Sequence, residues 1–222
     1  SSGSGPAGIA IIRISGTRAG TVLDSLSGLK RPEPRVVKRA LICDPKTGDA
    51  LDEGLVIWFP SPRSFTGEDV VELHIHGGHA TIEAICRSLS GFEGCRIAEP
   101  GEFSRRAFYN NKLDLTEIEG LADLIAAETE GQRKQALKQL SGDLGRIYEA
   151  WREELLRLLA HAEAAIDFPD EDLPKDILKE VNNISSEVLK EIKKSLNDEK
   201  VGEIIREGFK IAIVGPTNVG KS

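Results

Sequence analysis

The sequence predicts a multidomain chain: an α+β N-terminal part, an all-α middle part and the start of an α/β domain. Three observations support this prediction. Strand-like and helix-like stretches alternate through residues 1–112, whereas residues 113–208 carry long apolar repeats at helical spacing. The stretch 209–222 reads as a short buried strand that runs into a glycine-rich loop. We therefore predict domain boundaries near residues 112 and 208.

The composition is that of a soluble globular protein. The 222 residues are 40% hydrophobic and 29% charged, and no apolar run is long enough to cross a membrane. The net charge is −7, and the acidic excess falls after residue 113, which argues against a general nucleic-acid coat. The three cysteines, Cys43, Cys86 and Cys95, have no metal-like spacing, so we expect free thiols in a reducing compartment.

The N-terminal part is predicted to contain several short strands and three helices. A proline-bounded hairpin is expected around the turn at residues 44–48, and Thr17 is expected to cap the first helix. A third helix is expected from near Glu102 until Asn110 and Asn111 break it. The predicted strands are 7–15, the hairpin strands 36–43 and 55–59, 70–76 and a short 96–98. The first two predicted helices are 17–26 and 80–90.

The stretch 64–79 combines a strand with an unusually polar face. Val71, Leu73 and Ile75 alternate with Glu72, His74 and His76, so three titratable side chains share one face. Together with His79 these imidazoles would suggest a metal site. No further ligand cluster accompanies them in the sequence, which favours a hydrogen-bonded polar face instead.

Several cations stand in positions that need an explanation. Arg13 interrupts an apolar strand, where a charge is costly unless it is paired or reaches solvent at the strand end. Arg105, Arg106 and Lys112 form a local basic group, for which a solvated face is the alternative.

From Asp114 onward the pattern is helical. Asp114 and Glu117 form a plausible capping box, and apolar residues then recur every three or four positions to Phe168, with a break near Ser141 and Gly142. After an acidic loop at 169–174, a third helix is predicted over 177–196 and a short fourth over 201–205. Such an apolar stripe indicates that these helices pack against one another, because a long helix with one apolar face needs a partner that buries it.

The residues GPTNVGKS at 215–222 match the phosphate-binding loop G-x-x-x-x-G-K-[ST]. A buried strand precedes them, and backbone N–H groups of such a loop point at phosphate oxygens. Lys221 would reach the terminal phosphates and the Ser222 hydroxyl would ligate Mg²⁺. The alternative is a chance strand and turn. The predicted nucleotide-binding residues are Gly215, Asn218, Val219, Gly220, Lys221 and Ser222, and the resemblance described next implies that the nucleotide is GTP.

Five ordered stretches resemble one family, the MnmE (TrmE) tRNA-modification GTPases. They are GIAIIRISG at 8–16, SFTGEDVVELHIHGG at 64–78, the run 100–125, AAIDFPDE at 164–171 and GPTNVGKS at 215–222. The resemblance implies a tetrahydrofolate-binding and dimerisation domain at 1–112, a helical domain at 113–208 and the start of a G domain at 209–222. It also implies a strand before the opening SSGSG, and a helical domain completed by chain that follows the G domain.

The resemblance also implies site residues. Arg13, Glu72 and Lys112 would bind the folate, Asn218 would help to hold K⁺, and Ser222 would ligate Mg²⁺. Thr217 stands where the family usually has proline, which leaves phosphate binding intact. The family's catalytic cysteine belongs to a C-terminal motif, so no catalytic residue is expected within this chain.

By resemblance, the function is GTP binding in the modification of tRNA wobble uridine at carbon 5. The cofactors would be 5-formyl- or 5,10-methylenetetrahydrofolate, GTP, Mg²⁺ and K⁺, with K⁺-dependent GTP hydrolysis acting as a conformational switch. The partners would be tRNA, a second copy of the chain and an FAD-containing MnmG-type protein, in a bacterial cytoplasm or a mitochondrial matrix. Residues 1–222 alone are expected not to hydrolyse GTP, because the switch and guanine-reading segments are not among them.

Two other functions compete with this interpretation. One is a dimerising scaffold whose folate pocket is vestigial. The other is an Era-like ribosome-assembly GTPase with an unrelated N-terminal extension.

Overall fold

The computed structural model describes residues 7–28, 31–167, 177–207 and 214. The chain divides into two compact units, Ser1–Leu113 and Asp114–Ser222. Within the described residues the first unit contains one sheet and three helices and the second contains four helices. The predicted α+β part followed by an all-α part is therefore confirmed. The expected acidic loop at 169–174 and the phosphate-binding loop lie outside the described residues.

The first unit is built on a four-stranded antiparallel sheet in the order β1-β4-β3-β2. Because β4 lies inside the sheet, between β1 and β3, residues far apart in sequence become neighbours. The register places Arg13 of β1 opposite Glu72 of β4, and Glu72 opposite Ile57 of β3. The elements are β1 (Ala7–Ser15), α1 (Ala19–Ser27), β2 (Lys38–Cys43), β3 (Ala50–Phe59), β4 (Val70–Gly77), α2 (His79–Ser90) and α3 (Glu102–Tyr109).

One face of this sheet forms the hydrophobic core with α1 and α2. Val71, Leu73 and Ile75 of β4 are buried there, as their alternation predicts. Leu23 of α1 and Ile85 of α2 pack against the same cluster and are fully buried. The opposite face is left for the polar side chains of β1 and β4, and this is the face on which the candidate site lies.

Some predicted elements of the first unit are wrong in detail. Residues 96–98 form no strand, and β3 begins at Ala50 rather than at residue 55. Thr17 does not cap the first helix, because α1 begins at Ala19 with Arg18 in the cap position and no side-chain cap bond. The strand at 70–76 and the helix at 80–90 are confirmed within one residue.

The second unit is helical throughout its described part. The capping box of Asp114 and Glu117 is confirmed, with the Glu117 N–H donating to Asp114 Oδ1 at 2.8 Å and the Asp114 N–H to Glu117 Oε2 at 2.7 Å. The predicted break near Ser141 and Gly142 is also confirmed. The helices are α4 (Leu115–Ala126), α5 (Glu130–Leu140), α6 (Asp143–Asp167) and α7 (Ile177–Glu207).

Two predictions about these helices are wrong. A further break separates α4 from α5, because Thr129 starts a second capping box with Gln132. The separate short helix at 201–205 does not exist, because α7 continues without interruption to Glu207.

Small residues and polar bonds fix how the four helices pack. A Cβ added at Gly120 would lie 2.6 Å from the backbone nitrogen of Leu140, so α4 and α5 approach more closely than a larger residue would allow. Trp151 of α6 donates its indole N–H to Glu191 of α7 at 2.9 Å. Arg206, in the last turn of α7, pairs with Asp123 of α4 at 3.2 Å. The middle and the C-terminal end of α7 are thus tied to earlier helices of this unit.

Candidate functional site

The centre of the candidate site is an ion pair between adjacent strands. Arg13 donates to the same oxygen of Glu72 through Nε at 2.9 Å and through Nη2 at 2.7 Å. The Glu72 side chain keeps 16% of its exposure and the Arg13 side chain 35%, so the pair is sheltered yet reachable. The charge inside the apolar β1 strand is therefore paired, rather than directed to solvent at the strand end.

Glu72 is held in its ionised form by its neighbours. Burial alone would raise the pKa of this carboxyl, but hydrogen bonds from Arg13 and His74 outweigh it and leave the pKa below its usual value. His74 Nε2 lies 3.3 Å from Glu72 Oε2, the oxygen that Arg13 does not use. The site thus offers a carboxylate with one oxygen bound to a guanidinium and the other beside an imidazole.

Two aromatic rings frame the guanidinium of Arg13. Its central carbon lies 5.6 Å from the ring centre of Phe65 and 5.7 Å from that of Phe103, within the range of cation–π attraction. Phe65 belongs to the loop before β4 and Phe103 to α3. The sequence analysis did not single out either ring, although both lie in the stretches that carry the family resemblance.

Lys112 follows α3 and packs against the loop that carries Phe65. Its backbone N–H donates to the Ala107 carbonyl at 2.8 Å, which folds the chain back after α3. A Cβ added at Gly67 would lie 3.2 Å from Lys112 Cε, so the lysine stem packs on the backbone of Gly67. Within the described residues no hydrogen bond or ion pair joins Lys112 to Glu72. The structure pairs Arg13 with Glu72 and places Lys112 one loop away.

The predicted basic group separates into two different environments. Arg105 is exposed and pairs with Glu99, as a solvated face would require. Arg106 is half-buried and donates to Glu68 at 2.9 Å and to Glu102 at 2.9 Å. The solvated-face alternative is therefore wrong for Arg106, because two carboxylates from different elements converge on it.

Glu102 is the buried anchor of α3, and the sequence analysis recognised only its place at the helix start. Its side chain accepts hydrogen bonds from Arg96, from the backbone N–H of Glu99 and from Arg106, which together lower its pKa to about 2. Arg96 makes two such bonds, at 2.7 and 2.8 Å. An Arg six residues upstream of a helix start carries no sequence signal for this pairing, so only the fold shows it.

The low pKa of Glu102 predicts a dependence of stability on pH. An unfolded glutamate titrates near pH 4.3, so the folded state holds this proton less tightly than the unfolded state does. The stabilisation is fully present above about pH 4.3 and is lost as the pH falls towards 2. We expect the thermal unfolding midpoint to drop between pH 5 and pH 2, and Glu102→Gln to flatten this drop.

Circular dichroism melting at a series of pH values checks this expectation. Glu93→Gln is the matched control, because the Glu93 side chain is 92% exposed and should leave the pH dependence unchanged. Equal slopes for Glu102→Gln and the unsubstituted chain would contradict the assignment.

The histidines of β4 are engaged by carboxylates. His76 Nδ1 lies 2.8 Å from Asp52 Oδ1, and the His76 backbone N–H donates to Asp52 Oδ2 at 2.8 Å. Burial would raise the pKa of Asp52, but these bonds lower it overall. In the described part of the chain, no three His, Cys, Asp or Glu side chains are grouped so as to hold a metal ion. The carboxylate partners of His74 and His76 form the hydrogen-bonded polar face that the sequence favours.

The cysteines show no sign of a reactive site. Cys43, Cys86 and Cys95 are free thiols. Burial raises the pKa of the Cys86 thiol, which keeps it in the unreactive form.

The predicted nucleotide site cannot be placed in the structure. The residues Gly215, Asn218, Val219, Gly220, Lys221 and Ser222 all lie outside the described residues.

None of the helices in the described ranges combines the length and the apolar character needed to span a bilayer.

Comparison with known proteins gives the same answer for both units. Residues 1–112 match the family described as the GTP-binding protein TrmE N-terminus, and residues 115–212 match the MnmE helical domain. The chain is 55% identical over all its 222 residues to the tRNA modification GTPase MnmE of Parvibaculum lavamentivorans and 53% identical to that of Pelagibacter ubique. These matches cover 51% and 50% of the two relatives.

A eukaryotic relative is almost as similar. The chain is 49% identical to the mitochondrial 5-taurinomethyluridine-[tRNA] synthase subunit GTPB3 of Danio rerio, of which it covers 44%. The chain thus spans about half the length of the curated relatives it matches.

Proposed function

The chain belongs to the MnmE/TrmE family of tRNA modification GTPases, and from this premise we propose that it contributes a folate site and a GTP site to the modification of wobble uridine at carbon 5. The folate would be a 5-formyl or 5,10-methylene derivative of tetrahydrofolate, which supplies the one-carbon unit when bound. Potassium-dependent GTP hydrolysis would act as a conformational switch rather than as the modification chemistry.

The observation that carries the folate proposal is the framed ion pair of Arg13 and Glu72. A pterin edge presents N–H donors, which a carboxylate such as Glu72 can accept in pairs. The glutamate tail of a folate is anionic, which suits Arg13 and the exposed Lys112. The rings of Phe65 and Phe103 add the apolar flat walls that a planar heterocycle needs.

The proposed GTP site rests on sequence alone. Backbone groups of Gly215, Val219 and Gly220 would cradle the phosphates, with Lys221 at the terminal ones. Ser222 would ligate Mg²⁺, and Asn218 would help to hold a K⁺ ion that adds positive charge in place of an arginine finger.

The first unit also has a surface that suits the proposed homodimer. Three apolar side chains are exposed on the polar face of the sheet. Ile9 of β1 keeps 67% of its full exposed area, Leu41 of β2 keeps 50% and Leu55 of β3 keeps 43%. Apolar side chains that share a sheet face with ion pairs resemble the composition of a protein interface. We include a second copy of the chain, tRNA and an FAD-containing MnmG-type protein among the proposed partners.

The proposed location follows the relatives. Bacterial relatives and a mitochondrial one both match over the whole chain, so the site would work in a bacterial cytoplasm or in a mitochondrial matrix. The Era-like alternative requires residues 1–112 to be an unrelated extension. Their match to the TrmE N-terminus argues against that alternative.

Calorimetric titration of the 222-residue chain with 5-formyltetrahydrofolate tests the folate proposal. We expect saturable heat with one ligand per chain. A flat titration would support the remaining alternative, a dimerising scaffold with a vestigial pocket.

A further inference from the structure

Arg106 joins two elements that carry the walls of the candidate site. Its Nη1 donates to both oxygens of Glu68, at 2.9 and 3.2 Å, and its Nε and Nη2 donate to one oxygen of Glu102, at 3.2 and 2.9 Å. Glu68 belongs to the loop before β4, and Glu102 begins α3. We call these three residues the α3 clamp. None of them bonds to Arg13 or Glu72 in the described structure.

The loop side of the clamp is also fastened to β1. Glu68 Oε2 accepts a hydrogen bond from Ser15 Oγ at 2.8 Å, and Ser15 Oγ lies 2.6 Å from the hydroxyl of Thr66. Thr66 is completely buried, and its carbonyl accepts from the Asn110 side chain at 2.6 Å. The loop is therefore bound on one side to the strand that carries Arg13 and on the other side to α3.

The aromatic rings of the site are neighbours of these anchors in the chain. Phe65 precedes the buried Thr66, and Phe103 follows the buried Glu102. Since one ring comes from the loop and the other from α3, the gap around Arg13 depends on the distance between loop and helix. The α3 clamp is the charged link across that distance, and Lys112 packs on the same loop at Gly67.

We propose that Arg106 is a positioning residue of the folate site, which acts through Phe65 and Phe103 and does not touch the ligand. This inference rests on the proposed function of that site. A planar guanidinium can hold two carboxylates in fixed directions, so its loss would remove the charged link between the loop and α3 and loosen both rings. A loosened site must order its walls on binding, which lowers affinity.

Titration of the full 222-residue chain with 5-formyltetrahydrofolate tests this role. We expect Arg106→Gln to weaken folate binding about tenfold or more. Arg105→Gln is the matched control, because it makes the same change one residue earlier on α3, at an exposed side chain that pairs with Glu99. It should bind folate like the unsubstituted chain. Arg106→Lys should not restore affinity, because an ammonium group cannot hold both carboxylates in fixed directions.

A double-mutant cycle separates positioning from a general loss of stability. If Arg106 acts through the ring of Phe103, then Phe103→Leu and Arg106→Gln should each weaken binding, and the double variant should be little weaker than the worse single one. Additive losses would overturn the inference. If Arg106→Gln fails to fold, Glu68→Gln decides, because it removes only the loop half of the clamp from a side chain that is 27% exposed.

The remaining outcomes also decide. If Arg106→Gln binds folate as tightly as Arg105→Gln does, this role is overturned and the folate site is unaffected. The same holds for Glu68→Gln where Arg106→Gln does not fold. No folate binding by the unsubstituted chain would overturn the proposed function and this role together.

Discussion

Replacing Glu72 by alanine is expected to abolish the binding of 5-formyltetrahydrofolate while the first unit stays folded. The carboxylate is the only acceptor we assign to the pterin N–H groups, and its loss would leave two donors without a partner. Each charge-assisted hydrogen bond contributes about 1.5–3 kcal/mol, so we expect at least a hundredfold loss of affinity. Calorimetric titration measures the affinity, and circular dichroism melting measures the fold.

Glu53→Ala is the control for this substitution. Glu53 lies on the neighbouring strand β3, is half-exposed and pairs with Arg39 at 2.8 Å, so the same carboxylate is lost from a surface pair. It should leave folate binding unchanged, because exposed ion pairs contribute little. Unchanged affinity in Glu72→Ala would refute the role of Glu72.

Leu73→Ala is expected to cost the first unit about 3 kcal/mol of unfolding free energy. Leu73 is fully buried in β4, with a paired strand on each side and the core cluster against its face. Truncation to alanine removes apolar contacts and leaves a cavity that two paired strands cannot close, and such substitutions cost about 2–5 kcal/mol. Urea denaturation followed by tryptophan fluorescence would measure the change.

The two tryptophans make this measurement specific to one unit. Trp58 lies in the core of the first unit, whereas Trp151 lies in α6, so a Trp151→Phe background leaves Trp58 as the reporter. Ile97→Ala is the control, because Ile97 is 77% exposed between α2 and α3 and should change stability by less than about 0.5 kcal/mol. A loss for Leu73→Ala no larger than that of Ile97→Ala would contradict the packing described here.

Periodicity predicted most of the fold because it records which side of each element is buried. The alternation along β4 correctly separated Leu73 from Glu72, and the stripes after Asp114 correctly indicated a helical second part. Boundaries were less predictable. Thr17 lost its expected cap role because α1 begins two residues later, at Ala19. The break before Thr129 was missed although the apolar spacing is interrupted between Ala127 and Ala136 and Thr129 and Gln132 form a capping box.

The site was predictable only in part, for a different reason. Arg13 stood out because a charge in an apolar strand demands a partner, but the sequence could not say that the partner lies 59 residues away. The rings of Phe65 and Phe103 and the carboxylates of the α3 clamp gave no signal, because ordinary loops and helix starts contain the same residue types. Long-range pairings of this kind depend on sheet order, which local sequence does not encode.

The sheet order has a consequence for synthesis on the ribosome. The β2–β3 hairpin can form as soon as it emerges, but β1 has no neighbouring strand until β4 has been made. Arg13 therefore leaves the exit tunnel long before its carboxylate, and closing so long a loop is slow compared with forming a hairpin. Through this interval the nascent chain exposes the apolar segment 7–15 without the strand that it pairs with in the described sheet.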